Sequence, residues 1–134
     1  MTAHILVVED DAFIAALFER VLVRLGHYTV TVTEDADRVL ELVQAGQVHL
    51  VIMDVALRRT FYRAEAIDGI ALTRLIKAGG AAAPPVLLVT AHAMPGDAER
   101  LLAASGADGY LSKPLPHPRL LIERVQLLLE RLET

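Results

Sequence analysis

The stretch LVIMDVALRRTFYRAEAIDG occupies residues 50–69. Its first four residues are apolar without interruption and stop at a carboxylate, Asp54. A strand with one wet face alternates apolar and polar residues, whereas an unbroken apolar run suits a strand buried on both faces. Behind Asp54 lies an irregular segment with three arginines (Arg58, Arg59, Arg63), two aromatics (Phe61, Tyr62) and no glycine before Gly69. Two questions follow: what sheet buries the run, and why it ends in a charge.

Similar runs elsewhere answer the first. ILVV (5–8), YTVTV (28–32), VLLV (86–89) and a weaker GYLS (109–112) accompany LVIM (50–53), and each is followed by a helical pattern. Ile14, Leu17, Phe18, Val21 and Leu25 share one helix face before Gly26, and Ala36, Val39, Leu40 and Val43 share another before Gly46. A third helix reads from Asp68 through Leu72, Leu75 and Ile76 to Gly79. A fourth opens at Pro95 and closes at Gly106, and Leu121, Val125, Leu128 and Leu132 mark a fifth. Five strand-helix units in alternation predict an α/β doubly wound fold, a five-stranded parallel sheet covered on both faces by five helices. The 134 residues are expected to form one domain, 1–134, being enough for one core and too few for two ordinary ones.

Composition narrows the function. Apolar residues make up 54% of the chain but aromatics only 4%, so the core is expected to be aliphatic. A net charge of -4 argues against nucleic-acid binding, which needs a basic surface. The absence of cysteine excludes disulfides and thiolate metal sites and fits a reducing, cytoplasmic setting. No signal-peptide pattern opens the chain, and no apolar run approaches the roughly 20 residues needed to cross a bilayer, so no membrane role is expected. The five histidines lack ligand spacing.

Parallel α/β sheets carry their functional groups at the carboxyl ends of the strands, which answers the second question. Glu9, Asp10 and Asp11 follow the first run, Asp54 the third, Thr90 the fourth and Lys113 the fifth. Asp11 suits a helix cap. Glu9, Asp10 and Asp54 suit a hard cation such as Mg²⁺, which takes oxygen ligands. An aspartate carboxylate beside such an ion can attack a phosphoryl group, and the charge on that group calls for a cation and a hydroxyl, which Lys113 and Thr90 supply.

With VVEDD at the first strand, MDVAL at the third, VTA at the fourth and GYLSKP at the fifth, the sequence resembles the receiver domain of two-component response regulators over essentially its whole length. The resemblance implies a flavodoxin-like sheet of order 2-1-3-4-5, with Asp54 as phosphoacceptor and Thr90 and Lys113 as phosphate contacts. It also implies a Mg²⁺ site of Glu9, Asp10, Asp54 and the backbone carbonyl of Ala56, a switch of Thr90 and Tyr110, and a cis bond before Pro114. Ala56 and His92 occupy the places that position or exclude hydrolytic water in the family. The implied partners are a histidine kinase or histidine phosphotransfer protein and a downstream protein target. The chain most resembles stand-alone receivers, so signalling through protein contacts rather than enzymatic turnover is expected. A pseudo-receiver, binding a partner without phosphorylation, is the alternative.

The opening stretch departs from the family. Receivers usually carry proline four residues after the acceptor and an Asp-Gly pair soon after; here Arg58 takes the proline's place and the pair waits until Asp68 and Gly69. Residues 58–67 therefore form an insertion, expected above the phosphorylation pocket, where three guanidinium groups favour closure over a phosphoryl group. On the last helix Leu120 and Leu127, seven apart and off the core face, mark an expected partner or homodimer face between Arg124 and Arg131.

Overall fold

A computed structural model describes residues 2–91 and 96–130. Five strands, β1 (His4–Val8), β2 (Thr29–Thr33), β3 (Leu50–Asp54), β6 (Val86–Thr90) and β7 (Gly109–Ser112), form one parallel sheet of order β2-β1-β3-β6-β7. With the short strands β4 (Phe61–Tyr62) and β5 (Glu65–Ala66) set aside, this is the expected order 2-1-3-4-5. The helices are α1 (Ala12–Arg24), α2 (Ala36–Gln44), α3 (Gly69–Lys77), α4 (Asp97–Ser105) and α5 (Pro118–Glu130). The expected opening of the fourth helix at Pro95 and the core position Leu132 lie outside the described residues.

Strand periodicity sorts the core into two layers, because successive side chains point to opposite faces. Ile5, Val7, Leu50, Ile52, Leu87 and Val89 pack with Phe18 and Leu22 of α1 and with Leu121, Val125 and Leu128 of α5. Leu6, Val8, Val51, Met53, Val86 and Leu88 face the other way, onto Val39 and Leu42 of α2 and Leu72 and Ile76 of α3. Strands buried on both sides explain the unbroken apolar runs.

Helix starts follow the sequence. Asp11 Oδ1 accepts from Phe13 and Ile14 N–H, Asp35 Oδ1 from Asp37 and Arg38, and Asp68 Oδ1 from Ala71. These bonds satisfy amides that a helix's first turn leaves without a partner. Three apolar assignments were misplaced: Leu17, Leu25 and Leu75 are 41%, 49% and 38% exposed, and α1 buries Ala15 and Leu22 instead. The chain leaves α1 through His27 in the left-handed region (φ 57), while Gly26 serves by lacking a side chain that would strike the Tyr28 ring. The histidines that the sequence leaves scattered include two tied together: His4 N–H donates to His49 Nδ1, and the His4 ring bonds the Gln47 carbonyl and Thr31 Oγ1.

The insertion folds as a hairpin. β4 and β5 pair antiparallel about Arg63 and Ala64, both left-handed at φ 52 and 68, the pattern of a tight type I′ turn. Tyr62 packs on the α2–α3 side of the core, Arg63 lies 5.1 Å from the Tyr62 ring centroid, and buried Thr60 donates from Oγ1 to the Glu34 carbonyl at 2.8 Å. The hairpin thus rests against the β2–α2 side rather than closing over Asp54.

The chain returns from this excursion onto Asp54 itself. Gly69 donates its N–H to the Val55 carbonyl at 3.1 Å, and a Cβ at this position would stand 2.0 Å from the Asp54 carbonyl oxygen. Gly69→Ala is therefore expected to destabilise the protein by about 1–3 kcal/mol or more, as overpacking against backbone does. A lowered urea midpoint checks this, and an unchanged midpoint would refute the close approach.

Candidate functional site

Sheet register gathers the polar residues at one edge. Val8 pairs with Met53, Asp54 with Val89 and Thr90 with Ser112, so the residues ending or following these strands converge. Oxygen atoms of Glu9, Asp10 and Asp54 all lie within 4.8 Å of one another, the one such group of potential metal ligands among the described residues. Glu9 and Asp54 are buried at 5% and 6% exposure, and Asp10 is half-buried.

Lys113 bridges the cluster. Its Nζ lies 2.7 Å from Glu9 Oε1 and 3.5 Å from Asp54 Oδ1, and its own N–H donates to the Thr90 carbonyl at 2.8 Å. Asp54 Oδ1 also accepts the Ala56 N–H at 3.1 Å, and Glu9 Oε2 accepts from Asp10 N–H. Burial pushes the Glu9 carboxyl from 4.5 up to about 7; a hydrogen bond shared with Asp54 adds to the rise, and Lys113 opposes it without prevailing.

Glu9, Asp10, Asp54 and Lys113 come together, and Thr90, 1% exposed, ends the neighbouring strand. Ala56 is exposed just past Asp54. Tyr110 sits half-buried on β7, its carbonyl accepting from Arg124 at 3.0 Å. The Lys113–Pro114 bond is cis. His92 and Arg131 lie outside the described residues. The leucine stripe divides: Leu127 is 58% exposed, but Leu120 is half-buried and packs against the α1–α5 layer of the core.

Two features escaped the sequence. An apolar groove of 470 Å³ opens beside Lys113, lined by Phe13, Leu17, Phe18, Pro114 and Leu115 among others. Its signal was the exposed Phe13 and the misplaced Leu17. The second is a contact across 48 positions: the Arg58 N–H donates to Asp10 Oδ2 at 2.6 Å, and Arg59 Nη2 donates to the Asp10 carbonyl at 3.1 Å. Among the described residues, no hydrogen bond joins a guanidinium of the insertion to Asp54.

A carboxylate cluster with one lysine thus stands at the carboxyl edge of a five-stranded parallel sheet. Residues 5–126 match the family described as the response regulator receiver domain. The chain belongs to this family. Protein PetR of Rhodobacter capsulatus is 34% identical over 96% of the chain, which spans only 49% of PetR's length. The polar-differentiation response regulator DivK of Brucella ovis is 31% identical over 89% of the chain and 90% of its own length. A solved receiver domain from Methanospirillum hungatei shares the fold, with a TM-score of 0.80 at 23% identity over 99% of this chain and 98% of that one. Receivers are signalling domains of two-component systems, and their acidic pocket generally binds Mg²⁺. No helix among the described residues of this receiver is long and apolar enough to cross a membrane.

The Glu9 shift has a testable sign. A carboxyl whose folded value exceeds its unfolded one adds stability that is complete below pH 4.5 and is lost as pH rises through about 7. In cation-free buffer, wild-type protein should lose thermal stability relative to Glu9→Gln as pH rises across that window. Parallel pH profiles would contradict the assignment of the shift to Glu9.

Proposed function

We propose that this receiver accepts a phosphoryl group on Asp54 from a histidine kinase or histidine phosphotransfer protein and signals through protein contacts. One observation carries the reading: Asp54, buried at the end of β3, lies in one cluster with Glu9 and Asp10 and 3.5 Å from Lys113 Nζ.

The donor set fits Mg²⁺, being hard carboxylate oxygens that lie within 4.8 Å of one another. Glu9, Asp10, Asp54 and the Ala56 carbonyl would hold the ion, which when bound supplies positive charge to the phosphoryl oxygens. In transfer, an Asp54 oxygen bonds to phosphorus as the bond from phosphorus to the donor imidazole nitrogen breaks, the nitrogen keeping the electron pair. The Ala56 N–H on Oδ1 orients the attacking carboxylate. Lys113 meets the charge on the transferred group, and the Thr90 hydroxyl donates to one of its oxygens.

A hollow of 460 Å³ beside Thr90, lined also by Leu101 and Ala104 of α4, leaves room for the Thr90 side of the Thr90–Tyr110 switch to rearrange. The apolar groove along α1 supports docking of the phosphodonor beside Lys113. Leu127, exposed beside Arg124, remains the candidate for a downstream or homodimer contact. Ala56 offers no side-chain hydrogen bond to a hydrolytic water, which favours a long-lived phosphoryl group. A pseudo-receiver reading finds no support, since the acids and the lysine are retained and clustered.

Acetyl phosphate with Mg²⁺ should add one phosphoryl group to the wild type and none to Asp54→Asn, read by intact mass. Undiminished labelling of the variant would sink the assignment.

A further inference from the structure

The geometry points to a positioning role for the insertion: we propose that the main-chain N–H of Arg58, on the Asp10 carboxylate, and the guanidinium of Arg59, on the Asp10 main-chain carbonyl, together fix Asp10 for the divalent cation. The inference rests on the reading of Glu9, Asp10 and Asp54 as the cation site.

Asp10 follows β1, where a half-buried aspartate has freedom to rotate about χ1 and χ2. Glu9 is fixed by Lys113 and by the amides of Asp10 and Asp11, and Asp54 by the Ala56 amide. For Asp10 the side-chain donor comes from the insertion, at 2.6 Å from Oδ2, while the Arg59 guanidinium holds its carbonyl. The donor exists because of the departure at position 58: the proline usual there has no N–H to give. A carboxylate has lone pairs on two oxygens, so one amide on Oδ2 sets its plane without filling its capacity for a cation.

The insertion is anchored well enough to act as a support. Leu57 is buried before it and Gly69 is pinned to Val55 after it. Between them Thr60, 2% exposed, bonds the Glu34 carbonyl through Oγ1 and receives the Ile67 N–H at 3.0 Å on its own carbonyl. Arg58 and Arg59 therefore enter Asp10 from a segment braced against the β2–α2 connection. Groups that orient a metal's ligands typically change its affinity about 10–100-fold when removed.

Substitutions at one position separate the main-chain donor from the side chain. Arg58→Ala keeps the N–H and Arg58→Pro removes it, so Mg²⁺ affinity by isothermal titration calorimetry should stay near wild type in the first and fall about tenfold in the second. Arg59→Ala should also weaken binding, and it carries the test alone if the proline variant proves unfolded by circular dichroism in EDTA. Urea midpoints in EDTA should be close for wild type and Arg59→Ala, because the effect lies in the ligand rather than the fold. Wild-type affinity in a folded Arg58→Pro, or in Arg59→Ala when the proline variant does not fold, overturns the positioning role. Absence of Mg²⁺ binding by the wild type, or binding that survives Asp10→Ala, overturns instead the site reading beneath it.

Discussion

Three carboxylates within 4.8 Å of one another, two of them buried, repel, and the rest of the molecule is arranged around holding them there. Left to itself the cluster would open toward water. It cannot, because Glu9 and Asp54 continue strands whose residues Ile5–Val8 and Leu50–Met53 are at most 1% exposed. Lys113 answers part of the charge from the far strand, yet burial still raises Glu9 to about 7. With three carboxylates and one lysine the site is short of positive charge, which is the state a cation can use.

The same constraint explains how an enlarged loop is tolerated beside the site. The Gly69 amide meets the Val55 carbonyl, and the absence of a side chain there lets α3 lie on the Asp54 backbone. Whatever lies between Leu57 and Gly69 thus begins and ends at fixed points, and added residues leave sideways as a hairpin against α2. On this course, among the described residues, none of the three arginines expected over the phosphate hydrogen-bonds Asp54. Arg63 is spent on Tyr62, while Arg59 and the backbone of Arg58 serve Asp10.

Most of the sheet and the charged edge was legible because both rest on local signals. Consecutive apolar residues announce buried parallel strands, and Glu9, Asp54, Thr90 and Lys113 follow directly from strand ends. The α1 face was misread because Leu17 and Leu25 fit helical spacing as well as Ala15 and Leu22 do; which set is buried depends on how α1 meets α5, and no local pattern states that. The hairpin was illegible for a different reason. Its turn uses Arg63 and Ala64 in left-handed conformations, where a glycine or asparagine would have signalled it. The Arg58–Asp10 bond spans 48 positions and uses a backbone amide, so side-chain identity carries no trace of it.

The central claim is that Asp54 is where chemistry happens. Borohydride reduces an aspartyl phosphate to homoserine, so phosphorylated protein treated this way and mapped by peptide mass spectrometry reports the acceptor directly. The account predicts homoserine at position 54 alone. Homoserine at position 10, or an unmodified position 54 in protein that has gained a phosphoryl group, would contradict it.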